Sequence, residues 1–332
     1  MKLDKPLVSI GIPVYGVEKY IERCVRSLFE QTYQNIEYIF LDDCSVDKSV
    51  EIIKTVLPGY PNRVPQTRII SHSSNCGLAE ARNTFIKNAS GDFVLHIDSD
   101  DWVDKNLVDR LVEEQLNSNS DIVSVDYVKI YNNRKETVRS SIYSDVLKYR
   151  DEVLMLKANS HIWGRLIRRS LYLNNNISCE KGINMGEDYQ VYARLVYFAS
   201  KVSFISDTLY FYNCINEGSY TNMFSPEKLR QDWRSFDIVK DFYLSLGDKF
   251  KDMVQIAELK LIITDFIFSA RYKQIDYYYD EAKTRLANID KSLWKSQSLP
   301  SRFLLYVHKC KSIMFLYANF ATGVKRYLKL FN

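Results

Sequence analysis

Four short strand-like segments alternate with helix-length segments over the first hundred residues, and this alternation limits the folds open to the chain. The strand-like segments cover residues 8–13, 36–41, 67–71 and 93–97. Between the first two, apolar side chains recur at helical spacing at Tyr20, Ile21, Cys24, Val25, Leu28 and Phe29. Strands that alternate with helices of this length form βαβ units. The sequence therefore predicts an α/β fold with helices flanking a mostly parallel sheet.

Polar residues follow each predicted strand. Tyr15 follows the first, Asp42 and Asp43 end the second, residues 71–75 follow the third, and residues 98–101 follow the fourth. Ligands of parallel sheets bind beyond the carboxyl ends of the strands. These residues are therefore the first candidates for a binding site.

The domain organisation follows from a change in pattern along the chain of 332 residues. This length suits two folding units of about 150 residues each. From about residue 215 onward the apolar spacing is mainly helical. We expect an α/β domain at residues 1–215 and a helical region at residues 216–332.

Composition excludes several classes of protein. The chain is 46% hydrophobic and 26% charged, which excludes a disordered protein, and its net charge of +4 is too small to indicate a nucleic-acid partner. Its six cysteines contain no C-x-x-C pair, which favours reduced thiols over a zinc site. No apolar stretch approaches the roughly 20 residues that span a bilayer. We expect a cytoplasmic protein.

Three carboxylates, Asp98, Asp100 and Asp101, lie within four positions directly after the fourth predicted strand. They repel one another unless a cation neutralises them, and hard oxygen ligands of this kind suit Mg²⁺ or Mn²⁺. The alternative is an Asp-rich turn that caps the next helix, although one Asp would suffice for that. A calcium loop of the EF type is excluded because its sixth position, Val103, must be glycine.

Two further acidic pairs have both a functional and a structural interpretation. Asp43, after the second strand, can accept the imide N–H of a uracil ring, or it can belong to a turn before a helix capped by Asp47. Glu187 and Asp188 begin a predicted helix, where acids satisfy free N–H groups. Asp188 can instead act as a general base that takes a proton from an attacking hydroxyl, and the helix N-terminus is expected to keep it ionised.

Five segments together resemble the family 2 glycosyltransferases of the GT-A fold, which use nucleotide-activated sugars and invert the anomeric carbon. The resemblance is to the type that builds bacterial surface polysaccharides. The segments lie in the family's order at residues 8–15, 42–47, 75–83, 98–101 and 187–188. The resemblance implies a GT-A (Rossmann-like) catalytic domain with a helical C-terminal extension.

The resemblance also assigns roles on the nucleotide side of the site. It implies that Pro13, Val14 and Tyr15 line the nucleobase pocket, that Asp43 contacts the base, and that Arg82 lies near the nucleotide. These assignments predict a nucleotide-sugar donor, and the Asp43 argument favours a UDP-sugar.

On the chemical side of the site, the resemblance identifies residues 98–101 with the D-x-D motif. Asp98 would face the ribose and the sugar, and Asp100 would hold Mn²⁺ or Mg²⁺. Asp101 and Glu187 are candidate metal or sugar contacts. Asp188 would be the catalytic base, and a single base opposite the leaving group predicts inversion.

Four other positions carry weaker expectations. Cys44 lies where the family commonly has glycine, and because Cys is small we expect little consequence. Trp163 is a candidate acceptor contact through stacking on a sugar, with core packing as the alternative. His72 is expected to be solvated at the surface, and His96 to be packed inside.

The C-terminal segment, residues 301–332, contains no acidic residue. Its basic residues are Arg302, Lys309, Lys311, Lys325, Arg326 and Lys329. Aromatic and aliphatic residues are interleaved with them, a pattern typical of helices that lie on anionic membrane surfaces. The alternative is a helix packed on the protein with a solvated basic side. We favour peripheral attachment to the inner face of the cell membrane.

The sequence thus predicts an inverting, metal-dependent glycosyltransferase. It would transfer sugar to a hydroxyl of a glycan or lipid-linked acceptor in cell-surface polysaccharide synthesis. The alternatives are a non-catalytic nucleotide-sugar or glycan-binding module, if Asp188 only caps a helix, and a sugar nucleotidyltransferase. The latter needs a glycine-rich basic loop after the first strand, where residues 15–19 offer one Gly and one Lys.

Overall fold

The protein consists of two compact units. The first comprises residues 1–150 and 158–235, and the second comprises residues 151–157 and 236–332. The computed structural model describes residues 5–140, 143–216, 225–272, 276–310, 312, 313 and 316.

The first unit is built on a single sheet, in which the described residues form nine strands. In chain order the strands are β1 (Val8–Val14), β2 (Ile36–Asp42), β3 (Thr67–Ser71), β4 (Phe93–His96), β5 (Trp102–Val103), β6 (Ile122–Ile130), β7 (Lys135–Val138), β8 (Arg165–Arg168) and β9 (Val202–Asn213). Their spatial order is β3-β2-β1-β4-β8-β6-β9-β5, and β7 pairs with β6. Strands β3, β2, β1 and β4 are parallel, whereas β8 runs antiparallel to both β4 and β6. The predicted α/β fold is confirmed; β6 and β9 form a further parallel pair, which β8 separates from the four parallel strands.

Helices cover the sheet and form most of the second unit. In chain order they are α1 (Ile21–Phe29), α2 (Ser49–Val56), α3 (Leu78–Asn88), α4 (Leu107–Ser118), α5 (Val146–Leu154), α6 (Arg169–Asn174), α7 (Glu187–Phe198), α8 (Pro226–Ser245), α9 (Lys251–Tyr272), α10 (Asp276–Leu286) and α11 (Leu299–Val307). In α1, five of the residues of the predicted apolar face are buried: Ile21, Cys24, Val25, Leu28 and Phe29. Burial of this face drives the helix onto the sheet.

The register of the parallel strands brings their polar ends to one edge of the sheet. Val14 pairs with Asp42, and Asp42 pairs with Ser71. On the other side of β1, Gly11 pairs with His96, two residues before Asp98. A side chain at Gly11 would overlap the ring of Phe85 from α3, so this glycine allows α3 to pack closely on β1.

The boundary between the units falls after Ser235, about twenty residues beyond the expected boundary at residue 215. The first half of α8 belongs to the first unit because its polar side chains bond to the segment that precedes α7. Gln231 Oε1 accepts the N–H groups of Asn184 and Met185, and the Ser235 hydroxyl donates to the carbonyl of Gly186.

The second unit is helical and is held together in part by ion pairs. Arg285 bonds to Asp237 at 2.7 Å and to Glu281 at 2.7 Å, and Lys240 bonds to Glu258 at 3.1 Å. Within the described part of the chain, no helix combines the length and the apolar character needed to cross a membrane.

Candidate active site

The acidic loop, residues 98–101, is anchored to β9 through Asp101. This side chain is 1% exposed. Its Oδ2 accepts the hydroxyl of Tyr210 at 2.6 Å, and its Oδ1 accepts the N–H of Asn213 at 2.7 Å. Both oxygens of Asp101 are therefore engaged by protein donors, and its role as a metal or sugar contact stays a prediction.

Tyr210 packs against stacked aromatic rings. Trp163 stacks on His161, Tyr210 and Tyr212, with ring centroids 3.9, 4.5 and 5.4 Å away. Trp163 is only 8% exposed. Its contacts are those of the core-packing alternative, and an acceptor contact through this ring stays a prediction.

Asp98 and Asp100 lie in the same loop but have different partners. Asp98 Oδ1 lies 3.2 Å from Nη2 of Arg82, whereas Asp100 Oδ2 accepts the side-chain amide of Asn216 at 2.8 Å. Burial, together with the negative charge of Asp98, raises the pKa of Asp100 to about 6. The loop therefore holds more negative charge than its protein partners compensate.

Arg82, from α3, joins the acidic loop to the start of α7. Its Nη2 atom lies 3.2 Å from Asp98 Oδ1, 3.4 Å from Glu187 Oε1 and 3.2 Å from Asp188 Oδ1. The side chain is 3% exposed. Burial disfavours the charged guanidinium, but the three carboxylates outweigh this effect and raise the pKa of Arg82. One buried cation thus neutralises residues from two separate sequence segments.

Glu187 and Asp188 occupy the first turn of α7, as the sequence predicts. Burial, followed by the charge of Asp188, raises the pKa of Glu187 to about 8, and Arg82 opposes the rise. Burial also raises the pKa of Asp188, against the effects of Arg82 and of the Ile162 N–H. The expectation that the helix N-terminus keeps Asp188 ionised stays a prediction, and in the structure the main charge that opposes the rise in its pKa is that of Arg82.

The nucleobase side of the site lies at the ends of β1 and β2. Val14 is buried, Tyr15 is 50% exposed, and Asp43 is 4% exposed. The backbone N–H of Asp43 donates to the carbonyl of Val14 at 3.0 Å, so the two strand ends are joined directly. Next to them, Cys44 adopts a left-handed backbone with φ of 60°. Glycine adopts this conformation without strain and Cys does not, so the structure gives a physical reason for the glycine that the family commonly has here; the expectation of little consequence at Cys44 stays a prediction.

His72, expected to be solvated, is instead held inside by hydrogen bonds at both ring nitrogens. Nδ1 lies 2.7 Å from Asp43 Oδ1, and Nε2 lies 2.9 Å from Thr84 Oγ1. The backbone N–H groups of Cys76 and Gly77 donate to the same carboxylate, each at 2.8 Å. His96 is buried, as predicted.

Among the described residues, one group of His, Cys, Asp or Glu side chains could share an ion: Asp43, His72 and Cys76, with ligand atoms within 4.8 Å of one another. The Oδ1 atom of Asp43 already accepts two hydrogen bonds there. Protein donors therefore account for this cluster without a metal.

Sequence reasoning missed several contributors to the site: Ile162, Tyr210, Asn213 and Asn216. Each reaches an acidic residue that is distant in sequence, as Asn216 does to Asp100. Of these four residues, only Tyr210 and Asn213 lie in a strand, β9, whose sequence pattern could have identified them. Nothing local to Asn216 indicates its partner.

Comparisons with known proteins bear on this arrangement. Residues 9–183 match the family model described as Glycosyl transferase family 2. The chain belongs to glycosyltransferase family 2. The match spans more than half of the chain and includes the acidic loop, and it ends before Glu187 and Asp188.

Relatives of this family 2 chain come from bacteria. It is 33% identical over 214 residues to the uncharacterized glycosyltransferase EpsJ of Bacillus subtilis, covering 62% of this chain and 61% of EpsJ. It is 27% identical over 232 residues to the glycosyltransferase GlyA of Streptococcus pneumoniae, covering 66% of this chain and 32% of GlyA. The matches thus span less than two thirds of the length of either relative.

Among solved structures, the chain is similar to residues 1–349 of TarS from S. aureus, crystallised in complex with UDP-GlcNAc. The TM-score is 0.63 at 18% identity, and the alignment covers 96% of this chain and 92% of that one. This similarity confirms the predicted GT-A fold of the family 2 chain.

Proposed function

We propose that this family 2 chain is an inverting, metal-dependent glycosyltransferase. It would transfer a sugar from a UDP-sugar to a hydroxyl of a glycan or lipid-linked acceptor in cell-surface polysaccharide synthesis. One observation carries most of the proposal: a single atom of Arg82 lies within 3.4 Å of carboxylates from both the acidic loop and the start of α7. A metal-binding loop and a base must lie this close if both are to act on one sugar.

The acidic loop suits a divalent cation. Its donors are carboxylate oxygens, which Mg²⁺ and Mn²⁺ prefer. Burial and the negative charge of Asp98 raise the pKa of Asp100, and a bound cation would favour the charged form of both carboxylates. Asp100 would hold the ion, and Asp98 would face the ribose and sugar. When bound, the ion supplies Lewis-acid stabilisation of the departing diphosphate.

Asp188 would take the proton from the acceptor hydroxyl as the new glycosidic bond forms. A carboxylate is the appropriate base here because the hydroxyl is a very weak acid. Arg82 would hold Asp188 in place, and its position near the nucleotide is part of the same proposal. Its Nε and Nη1 atoms are buried and find no hydrogen-bond partner among the described residues, as expected where a ligand or water completes a site.

The proposed donor nucleotide is uridine diphosphate, bound where Pro13, Val14, Tyr15 and Asp43 meet. The anionic carboxylate of Asp43 can only accept hydrogen bonds, which suits the imide N–H of uracil. The TarS complex with UDP-GlcNAc supports this choice, since that chain shares the fold.

Ligand binding tests the proposal directly. UDP with Mn²⁺ should stabilise the protein against unfolding, by about 2.7 kcal/mol when UDP is at a hundred times its dissociation constant. Neither GDP nor CDP should match this effect, because neither base presents an imide N–H between two carbonyl groups, and Asp100→Asn should remove the part that depends on Mn²⁺. The readout is thermal unfolding with each nucleotide, with and without metal. If UDP stabilised the wild-type protein equally with and without Mn²⁺, metal dependence would be rejected.

We further propose that the basic C-terminal segment attaches the protein to the cytoplasmic face of the membrane, where lipid-linked acceptors lie. In α11, Leu304 and Leu305 are buried while Leu299, Phe303 and Tyr306 are exposed. Most of residues 311–332 lies outside the described residues.

Co-sedimentation with vesicles tests this attachment. The full chain should pellet with anionic vesicles and less with neutral ones, because each basic residue near an anionic surface adds about 1 kcal/mol. A chain ending at residue 300 should lose this binding while still binding UDP. If the shortened, folded chain pelleted equally well, the attachment would have to lie elsewhere.

A further inference from the structure

The polar side chains of His72 and Thr84 lie next to Asp43 and take no part in the steps proposed above. They connect Asp43 to helix α3 through one imidazole ring. Nδ1 of the ring lies 2.7 Å from Asp43 Oδ1, and Nε2 lies 2.9 Å from Thr84 Oγ1. Both nitrogens are thus occupied, although His72 lies at the end of a strand where a ligand-facing residue is expected.

The partners of the ring define its hydrogens. An ionised carboxylate only accepts hydrogen bonds, so Nδ1 of His72 donates to Asp43. In the neutral ring, Nε2 then accepts, and the hydroxyl of Thr84 donates to it. Thr84 therefore favours the tautomer that keeps a donor directed at Asp43.

The carboxylate of Asp43 has little accepting capacity left. Two carboxylate oxygens offer about four acceptor positions. On Oδ1, His72 and the N–H of Cys76 occupy two, and on Oδ2 the N–H of Gly77 occupies a third. One position remains, on Oδ2. Asp43 is 4% exposed, so the carboxylate has little room to rotate and release another.

We propose that His72 and Thr84 are positioning residues that leave Asp43 one acceptor position and so select the nucleobase. This rests on the proposed function, in which Asp43 contacts the base. Uracil presents one imide N–H between two carbonyl groups and matches a single acceptor. Guanine presents two adjacent donors that pair best with both oxygens of a free carboxylate, and the ring nitrogen of cytosine is an acceptor that a carboxylate repels.

Calorimetric titration with UDP, GDP and CDP tests the selection. The wild-type protein should bind UDP at least about tenfold more tightly than GDP. His72→Leu should weaken UDP binding about tenfold, because the donor that positions the charged carboxylate is lost, and should strengthen GDP binding, because an acceptor position on Oδ1 becomes free for guanine. His72→Asn should stay within about threefold of wild type, because its amide can donate from a similar place, and Thr84→Val should weaken UDP about threefold.

The outcomes separate this inference from the proposed function. If the wild-type protein showed no preference for UDP, the proposed uridine donor itself would fail. If it preferred UDP and His72→Leu kept the same ratio of UDP to GDP affinity, the positioning role would be overturned. If His72→Leu fails to fold, Thr84→Val provides the test. A smaller ratio of UDP to GDP affinity in Thr84→Val supports the positioning role, and an unchanged ratio overturns it. His308→Leu, the same change in the second unit, should leave every affinity unchanged.

Discussion

Replacing Asp188 by Asn should lower the rate of sugar transfer about a thousandfold while leaving UDP affinity within about twofold of wild type. The expected loss is that of a general base, which contributes about 10²–10⁴ in rate. Asn keeps the size of the side chain and an oxygen that can accept the Ile162 N–H, but it cannot take a proton. The measurement pairs the initial rate of transfer from a UDP-sugar with calorimetric binding of UDP.

A matched variant makes this result specific. Asp207 is an exposed residue of β9 and bonds to Arg110 at 2.8 Å. The substitution Asp207→Asn should leave both the rate of sugar transfer and the UDP affinity unchanged. Full activity in Asp188→Asn would remove the catalytic assignment and favour a binding module in which this acid only begins a helix.

Replacing Arg82 by Met should lower the free energy of unfolding by about 3–5 kcal/mol, the cost of removing one partner from a buried ion pair. The guanidinium is 3% exposed and is the cation closest to Asp98, Glu187 and Asp188 in the described structure. Without it, three neighbouring carboxylates whose side chains are only 10–23% exposed lose their shared cation, and proton uptake would offset only part of the cost. Urea unfolding followed by circular dichroism measures the change.

Arg68→Met is the control for loss of a cation at the surface. Arg68 bonds to Glu37 at 3.0 Å with 47% of its side chain exposed, so we expect a loss of at most about 1 kcal/mol. Equal effects of the two substitutions would show that Arg82 does not stabilise the carboxylates as we infer.

The first half of the sheet could be predicted because its signal is local. Strands β1, β2 and β4 are mostly buried and therefore form apolar runs, whereas β3, at the edge of the sheet, is only partly buried. The run at residues 36–41 becomes β2 (Ile36–Asp42), and the segment at 67–71 becomes β3 (Thr67–Ser71). The polar ends of these strands could be predicted to share an edge of the sheet, since parallel pairing leaves no other arrangement.

The second half of the sheet could not be predicted in this way. The same holds for the residues that hold the acidic side chains of the site in place. Strand β8 (Arg165–Arg168) has four residues, too few for a periodic signal, yet it separates β4 from β6. The bond from Tyr210 to Asp101 joins residues 109 positions apart. The place of Arg82 among its carboxylates likewise depends on how α3 and α7 pack, which no local pattern encodes.

The attachment of Asp101 to β9 affects how much conformational entropy the acidic loop loses when a ligand binds. Tyr210 and the backbone of Asn213 hold the acidic loop through hydrogen bonds made within the protein, next to a surface of stacked aromatic rings. A loop already shaped in this way loses little conformational entropy when a charged ligand arrives, so more of the contact energy remains as affinity. Loosening that support, for example with Tyr210→Phe, would therefore weaken the capture of ligand without altering any group that touches it.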